Sequence, residues 1–425
     1  MKGQPYPEYK NSGIEWLGKI PENWRIVRLK YCSKINMGQS PSSDDCNCYG
    51  VGIPFLQGTA DFGPVSPIPK QYCEKPPKIA HKGDFLISVR APVGEFNVAN
   101  QDYGIGRGLC GIMTDSSFLQ PSFCQHLLDH VRIQLYSEAA GSTYDAVSVD
   151  EIGNMLVLIP PLPEQLAVAS YLSCKTANID GLIAAREQQV ILLKEKREAI
   201  ISSVSTRGLD STVHMKDSGI EWLREIPEHW TTVRSRFVFK EVDERSTSGE
   251  EELLTVSHIT GVTPRSEKNV NMFMADTLEG YKKCKAGDLI INTMWAWMGA
   301  LGTASQDGVV SPSYNVYRLR DPGYDPRYYD RLFRTRKFET EITRFSKGVW
   351  KSRLRLYPDG LFQIRIPCPP KNEQVAIADY LDQKTDYVDK LKMKIQWSIE
   401  KLREYRVSLI SAAVTGKIDL RKEVS

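Results

Sequence analysis

NSGIEWLGKIPENW, residues 11–24, returns as DSGIEWLREIPEHW at residues 217–230, with ten of fourteen positions identical. A second pair keeps nearly the same spacing. EQLAVASYL at 164–172 returns as EQVAIADYL at 373–381, six of nine identical. The offsets are 206 and 209 residues, so two units of nearly equal length are laid head to tail. Each unit carries a copied frame, and the sequence between the frames differs. A repeated scaffold around two unlike inserts points to one task performed on two different targets.

Outward from the frames, the two units divide alike. IVRLKY (26–31) and TTVRSRFVF (231–239) read as strands that open each lobe. GDFLISVRAPVG (83–94) is answered by GDLIINTMWAWMG (287–299), and short apolar runs between Gly, Pro and Ser read as strands and turns. A helix is expected near Ser122 to Tyr136. Each lobe ends in a proline-rich stop, IPPLPEQ (159–165) and IPCPPKNEQ (366–374). Proline is tolerated in a helix's first turn but not in a strand interior, so a helix should start at each Glu-Gln pair.

After a short break the pattern becomes strongly helical. Ile179, Ile183, Arg186, Val190, Leu193, Arg197, Ile200 and Val204 alternate steps of four and three. Val388, Lys392, Ile395, Ile399, Leu402, Arg406, Leu409 and Ala413 step identically. That is a heptad seam. Two helices of about thirty residues, roughly 45 Å each, would pack antiparallel about a pseudo-twofold axis. The alternative is that each helix packs on its own lobe. STRGLD (205–210) and VTGKIDL (414–420) form a shared exit, and STVHMKDSG (211–219) reads as a linker.

Composition narrows the class. With 425 residues, 41% hydrophobic and 25% charged, the chain has the make-up of a soluble protein of two to four domains. No apolar run nears eighteen residues and the first residues lack a secretory core, so a cytoplasmic location is expected. Nine scattered cysteines, with Cys46 and Cys48 in a C-x-C spacing, do not form the paired C-x2-C pattern of a zinc site. The net charge is +3, but ten Lys or Arg fall between Arg327 and Arg355 against three acids. That stretch reads as a phosphate-facing surface or as a solvated helix face.

Catalytic signatures are missing. No strand leads into a G-x-G turn that opens a helix, and GIGRG (104–108) runs into a strand instead. There is no Walker-type loop and no Asn/Asp-Pro-Pro-aromatic motif. His126 and His130 in HLLDH stand one helical turn apart but lack the glutamate of a zinc protease, so ordinary helix histidines are expected. A binding protein is the reading that remains.

The doubled pattern of frame, proline-rich stop and long helix resembles the specificity subunits of type I restriction–modification systems, over essentially the whole chain. Local motifs of the lobes carry the likeness further: GQSPS (38–42), IGRGLCGI (105–112), ELLTVSHITGV (252–262) and SPSYNVYRL (311–319). GSTYDAV (141–147) corresponds to KGVWKSRL (347–354) near the lobe ends.

The resemblance implies an α+β chain with two mixed α/β target recognition domains, two long antiparallel coiled-coil helices as spacer, and an internal pseudo-twofold repeat. The segments would be 1–160 (frame and first recognition domain), 161–213 (first helical region), 214–366 (second recognition domain) and 367–425 (second helical region). The chain would be a non-catalytic reader of a bipartite, asymmetric double-stranded DNA sequence. Two methyltransferase subunits and restriction/motor subunits would join it. S-adenosylmethionine, ATP and magnesium would sit in those partners, with no cofactor in this chain and no membrane involved. The partners' adenine N6 methylation would require the base to be flipped out of the stack.

The DNA-contact candidates in the first lobe are Gln57, Arg90, Arg107, Ser142, Thr143 and Tyr144. In the second they are His258, Asn292, Trp295, Trp297, Ser313, Tyr314, Lys347, Trp350, Lys351 and Arg353. Arginine suits guanine O6 and N7, Asn and Gln suit adenine, and lysine more often holds phosphate. For each polar candidate the alternative is an ordinary surface or strand-end residue. Trp295 and Trp297 are expected to alternate on a strand, with at least one in the core. Two rival readings remain: a two-lobed protein scaffold without DNA readout, and a methyltransferase or nuclease with an unrecognised site.

Overall fold

The computed structural model describes residues 4–15, 17–139, 146–268, 277–350 and 353–422, with the backbone alone for residue 43 and for 132–139. Two compact units emerge, and only the second is one continuous stretch of chain. The first joins Met1–Glu187 to Trp397–Ser425; the second is Gln188–Gln396. Each helical segment of the sequence is therefore divided between the units.

The cause is the length of the helices. The first runs unbroken from Leu162 to Arg207 and the second from Lys371 to Val414. At 46 and 44 residues they reach about 69 and 66 Å. The expected break is absent, because Thr176 and Thr385 satisfy their hydroxyls on the helix itself, at Leu172 O (2.8 Å) and Asp382 O (3.3 Å). A polar stretch that read as an interruption is thus helix with its hydroxyls turned inward. Both helices start two residues before the Glu-Gln pair, with that pair in the first turn.

Within the first unit the helix segments run antiparallel. Arg406 meets Asp180 at 3.0 Å and Arg403 meets Glu187 at 2.7 Å, so one number falls as the other rises. Leu409, Ile410, Ala413 and Val414 from the second helix share a core with Val168, Leu172 and Ile179 of the first. In the second unit Arg197 pairs with Asp389 at 3.4 Å, and Ile201 joins the core that holds Ile377 and Leu381. Each lobe is closed by the start of its own helix and the end of the other.

The copied frame residues do identical work in both units. Trp24 and Trp230 are fully buried. A buried indole N–H needs an acceptor. Trp24 Nε1 donates to Glu164 Oε1 at 3.0 Å, and Trp230 Nε1 donates to Glu373 Oε2 at 2.9 Å. The adjacent glutamines clamp the lobe. Gln165 accepts from Gln120 N and donates to Phe118 O and Pro160 O, while Gln374 accepts from Asp325 N and donates to Pro369 O. The exit glycines complete the frame with left-handed backbone, φ 78° at Gly208 and 70° at Gly416. A Cβ on Gly416 would lie 2.4 Å from Pro21, and one on Gly208 would lie 3.3 Å from Trp230. Only glycine suits both the φ and the approach.

The lobes share a central sheet. In the first the order is Phe96–Val98, Phe85–Ser88, Leu109–Thr114, Ser33–Met37, antiparallel throughout. In the second it is Leu301–Thr303, Leu289–Asn292, Tyr314–Leu319, Phe239–Val242, again antiparallel and in the same order. The helix expected near Ser122 spans Pro121–Ala139; its counterpart is a pair, Pro326–Phe333 and Arg336–Phe345. The fold is α+β with an internal repeat. Among the described residues no helix is long and apolar enough to cross a membrane.

Two measurements check this core. Replacing Gln165 by Leu strands a buried N–H and two carbonyls, so urea unfolding should show a loss of about 2–3 kcal/mol. A change within about 0.5 kcal/mol, as at a surface site, would mean the clamp is dispensable.

The second concerns His126, buried with Nε2 3.1 Å from Ser173 Oγ. Burial, aided by the nearby Arg406 charge, holds its pKa down to about 4. The folded state then refuses a proton that the unfolded chain accepts near its ordinary 6.5, so stability is full above about 6.5 and declines as pH falls toward about 4. Burial pushes His130 the same way. Urea midpoints of His126→Gln should fall less steeply over that window than those of the parent chain; parallel curves would rule His126 out.

Candidate nucleic-acid interface

In the first lobe, strand pairing brings together residues far apart in sequence. Ile53–Leu56 runs parallel to Tyr103–Ile105, with Leu56 opposite Ile105, so Gln57 leaves its strand beside Gly106 to Gly108. A Cβ on Gly108 would lie 2.5 Å from Gln57 O, which explains the glycine there. Ser88 pairs with Leu109, and Val89 N donates to Gly108 O, so Arg90 emerges beside Arg107. Gln57, Arg90 and Arg107 all line one open cleft of about 800 Å³. Asp61 lies in its wall but is buried and accepts from Gln57 N at 2.9 Å. Ser142, Thr143 and Tyr144 lie outside the described residues. The chain re-enters at Ala146, which bridges to Arg90.

In the second lobe the matching strand end builds a different cleft. Leu356 N donates to Thr293 O as Val147 N donates to Val89 O, so the two lobe ends correspond. Lys347 and Arg355 close a hairpin with two 2.9 Å backbone bonds. Trp295, Lys347, Trp350 and Arg353 line an open cleft of about 870 Å³ with Met294, Val349, Arg355 and Tyr357. Among the described residues, no acidic side chain lines it. Lys351 lies outside the described residues.

The other candidates are placed elsewhere. Asn292 is buried, and its carboxamide oxygen accepts from Met294 N, so it caps a turn. Trp295 and Trp297 do not alternate on a strand. They flank Ala296 in a short 3-10 turn ended by left-handed Gly299, stacked with centroids 6.3 Å apart. Neither lies in the core: Trp295 is half exposed, Trp297 is partly so, and its Nε1 donates to Met294 O. His258 is exposed in the turn after Leu254–Ser257. Ser313 is exposed and accepts from Thr293 through its carbonyl, and Tyr314 sits opposite Asn292 with its phenol pushed up by burial.

The basic stretch divides in two. Arg327 is held by Asp325, Asp379 and Asp382; Arg331 by Asp382; Arg336 by Glu198; and Arg344 by Glu341. Tyr328, Tyr329, Phe333 and Phe338 are core. Most of its helical half is therefore a paired packing element; Arg334 donates to Ile259 O instead, and Lys337 is exposed. Lys347, Arg353 and Arg355 have no ion-pair partner among the described residues. Sequence reasoning missed Lys70 and Gln71 in the first cleft and Arg355 in the second. Arg355 stood inside the counted run; Lys70 had no signal beyond its charge. Among the described residues no cluster of His, Cys, Asp or Glu gathers to hold a metal.

Comparison with known proteins follows the same lines. Residues 21–191 match the type I restriction modification DNA specificity domain. The chain is 36% identical to the MjaX type I restriction enzyme specificity subunit of Methanocaldococcus jannaschii, over 47% of this chain and 46% of that one. That alignment thus spans about half of the relative. The EcoBI specificity subunit of Escherichia coli is 21% identical over 97% of this chain and 90% of its own length. Among solved structures, a chain from a type I R-M system superposes with a TM-score of 0.70 at 18% identity, covering 93% of this chain and 98% of that one. The HsdS subunit from Thermoanaerobacter tengcongensis gives 0.55 at 19% identity, covering 94% and 98%. These two likenesses concern the fold. With the specificity domain matched over residues 21–191 and the doubled frame built as described, the chain is similar to the specificity subunits of type I restriction–modification systems.

Proposed function

We propose that the protein is the sequence-reading subunit of a type I restriction–modification complex. Two lobes with the same sheet order open, at the same strand end, into two clefts of unlike chemistry; that pairing carries the reading. The first cleft offers Gln57, Arg90 and Arg107, side chains that suit adenine and guanine edges. The second offers cations without carboxylate partners beside exposed indoles. A bipartite and asymmetric double-stranded target follows from two unlike readers on one chain.

The partners follow from the repeat. Two copies of one frame can hold two copies of one partner, so two methyltransferase subunits would dock, and restriction/motor subunits with them. The chemistry would be adenine N6 methylation in the cytoplasm, with S-adenosylmethionine, ATP and magnesium held by the partners. This chain would read and position, and would not catalyse.

Co-expression with a type I methyltransferase subunit, followed by long-read mapping of methylated adenines, tests the reading. A new split motif that disappears without this chain is expected. A stable complex that methylates no new motif would contradict it. In direct binding, Arg90→Ala should cost about 1–3 kcal/mol and relax preference at one base position. Lys347→Ala should weaken binding evenly across sequences and lower the salt slope by about one. Unchanged affinity and slope in both variants would remove the clefts from the interface.

A further inference from the structure

The two clefts differ in a way that DNA reading alone does not require. Polar side chains dominate the first. In the second, Val349 is 94% and Trp350 69% exposed, just after Lys347. Met294, Trp295 and Tyr357 face the same cleft and are also exposed. Large apolar side chains gain nothing from solvent, and such a cluster marks a binding surface. Its surroundings restrict the partner. Lys347, Arg353 and Arg355 stand around the cluster and, among the described residues, no carboxylate lines the cleft. Apolar faces framed by unpaired cations match an aromatic base framed by phosphates.

The hairpin's base is well held. Lys347 and Arg355 exchange backbone bonds, Leu356 is buried against Thr293 O, and Arg353 N donates to Trp350 O at 2.8 Å. Exposed apolar side chains beside such a base match the chemistry of the wedges that unstack a base step and kink the duplex.

We propose that the second lobe reads its half of the target by deformation: Val349 and Trp350 enter the duplex as a wedge at one base step, and the flanking cations hold the phosphates on either side. This rests on the DNA-reading function above. Preference at that step would come from how readily it unstacks, with pyrimidine–purine steps favoured. The first lobe, with polar side chains in its cleft, would read base edges. One chain would then combine two modes of readout.

The test uses the full chain assembled with its methyltransferase subunits, on DNA bearing its mapped motif. 2-Aminopurine is placed in turn at each position of the two half-sites. Besides any rise at the adenine flipped for methylation in each half-site, a several-fold rise in fluorescence is expected at one further step of one half-site. Trp350→Ala should abolish that rise and weaken binding about tenfold or more, with the loss recovered when a mismatch already opens the step. Trp350→Phe should keep most of the signal. Arg353→Ala should lower affinity yet keep the rise at saturation.

Motif-specific binding without a rise at any position other than the methylated adenines would overturn the wedge and leave DNA reading intact. So would a Trp350→Ala complex that keeps the full signal. Failure of Trp350→Ala to assemble with the methyltransferase would overturn it by assigning the cleft to a protein. Equal binding of motif and scrambled DNA by the parent complex would overturn the reading function and the wedge together.

Discussion

A carboxylate in the first turn of each long helix accepts the indole N–H of a buried tryptophan, and the rest of the architecture depends on that bond. Glu164 holds Trp24 and Glu373 holds Trp230. Backbone N–H groups at a helix start favour a negative charge there, so helix and tryptophan act on the same group. The same tryptophan's ring also lies against the glycine at the end of the opposite long helix. Start of one helix, frame and end of the other are thereby locked into one knot, twice over. Tyr6 adds a hydroxyl to Glu164, and His229 adds an imidazole to Glu373 at 2.6 Å. Removing the carboxylate would leave a buried indole N–H without a partner, which costs more than the bond contributes.

This knot explains how the lobes can diverge. Frame contacts consume the positions identical between the two repeats, and the glutamine clamps fix the lobe to the helix through backbone groups. Side chains at the far strand ends are then free to vary without disturbing either. Charge follows the same division. The arginines of the helices Pro326–Phe333 and Arg336–Phe345 are neutralised by acids within their unit, whereas the hairpin cations keep no such partner. A partner's phosphates would meet charge only where the cleft opens.

Much of this was legible in the sequence because identical residues do identical jobs. GIEWL and the Glu-Gln pair announced the frame, and GDFLIS with GDLIIN announced matching strands. The helix lengths were hidden, since Thr176 and Thr385 look like interruptions until their hydroxyls are seen bonded to the helix. The basic stretch misled for a related reason: its acids, Asp379, Asp382 and Glu198, come from elsewhere in the chain. Trp295 and Trp297 read as strand residues because alternation cannot reveal a turn set by Asn292 and Gly299. Gln57, Arg90 and Arg107 could be named singly, but only parallel pairing of Ile53–Leu56 with Tyr103–Ile105 brings them to one cleft.

The central claim is that the two clefts read separate parts of one target. Selection of bound sequences from a random DNA pool, by this chain co-expressed with a type I methyltransferase subunit, tests it most directly. The parent chain should enrich two short blocks around a fixed gap. Arg90→Ala should erode one block and Trp350→Ala the other. A single enriched block, or the same block eroded by both variants, would contradict the account.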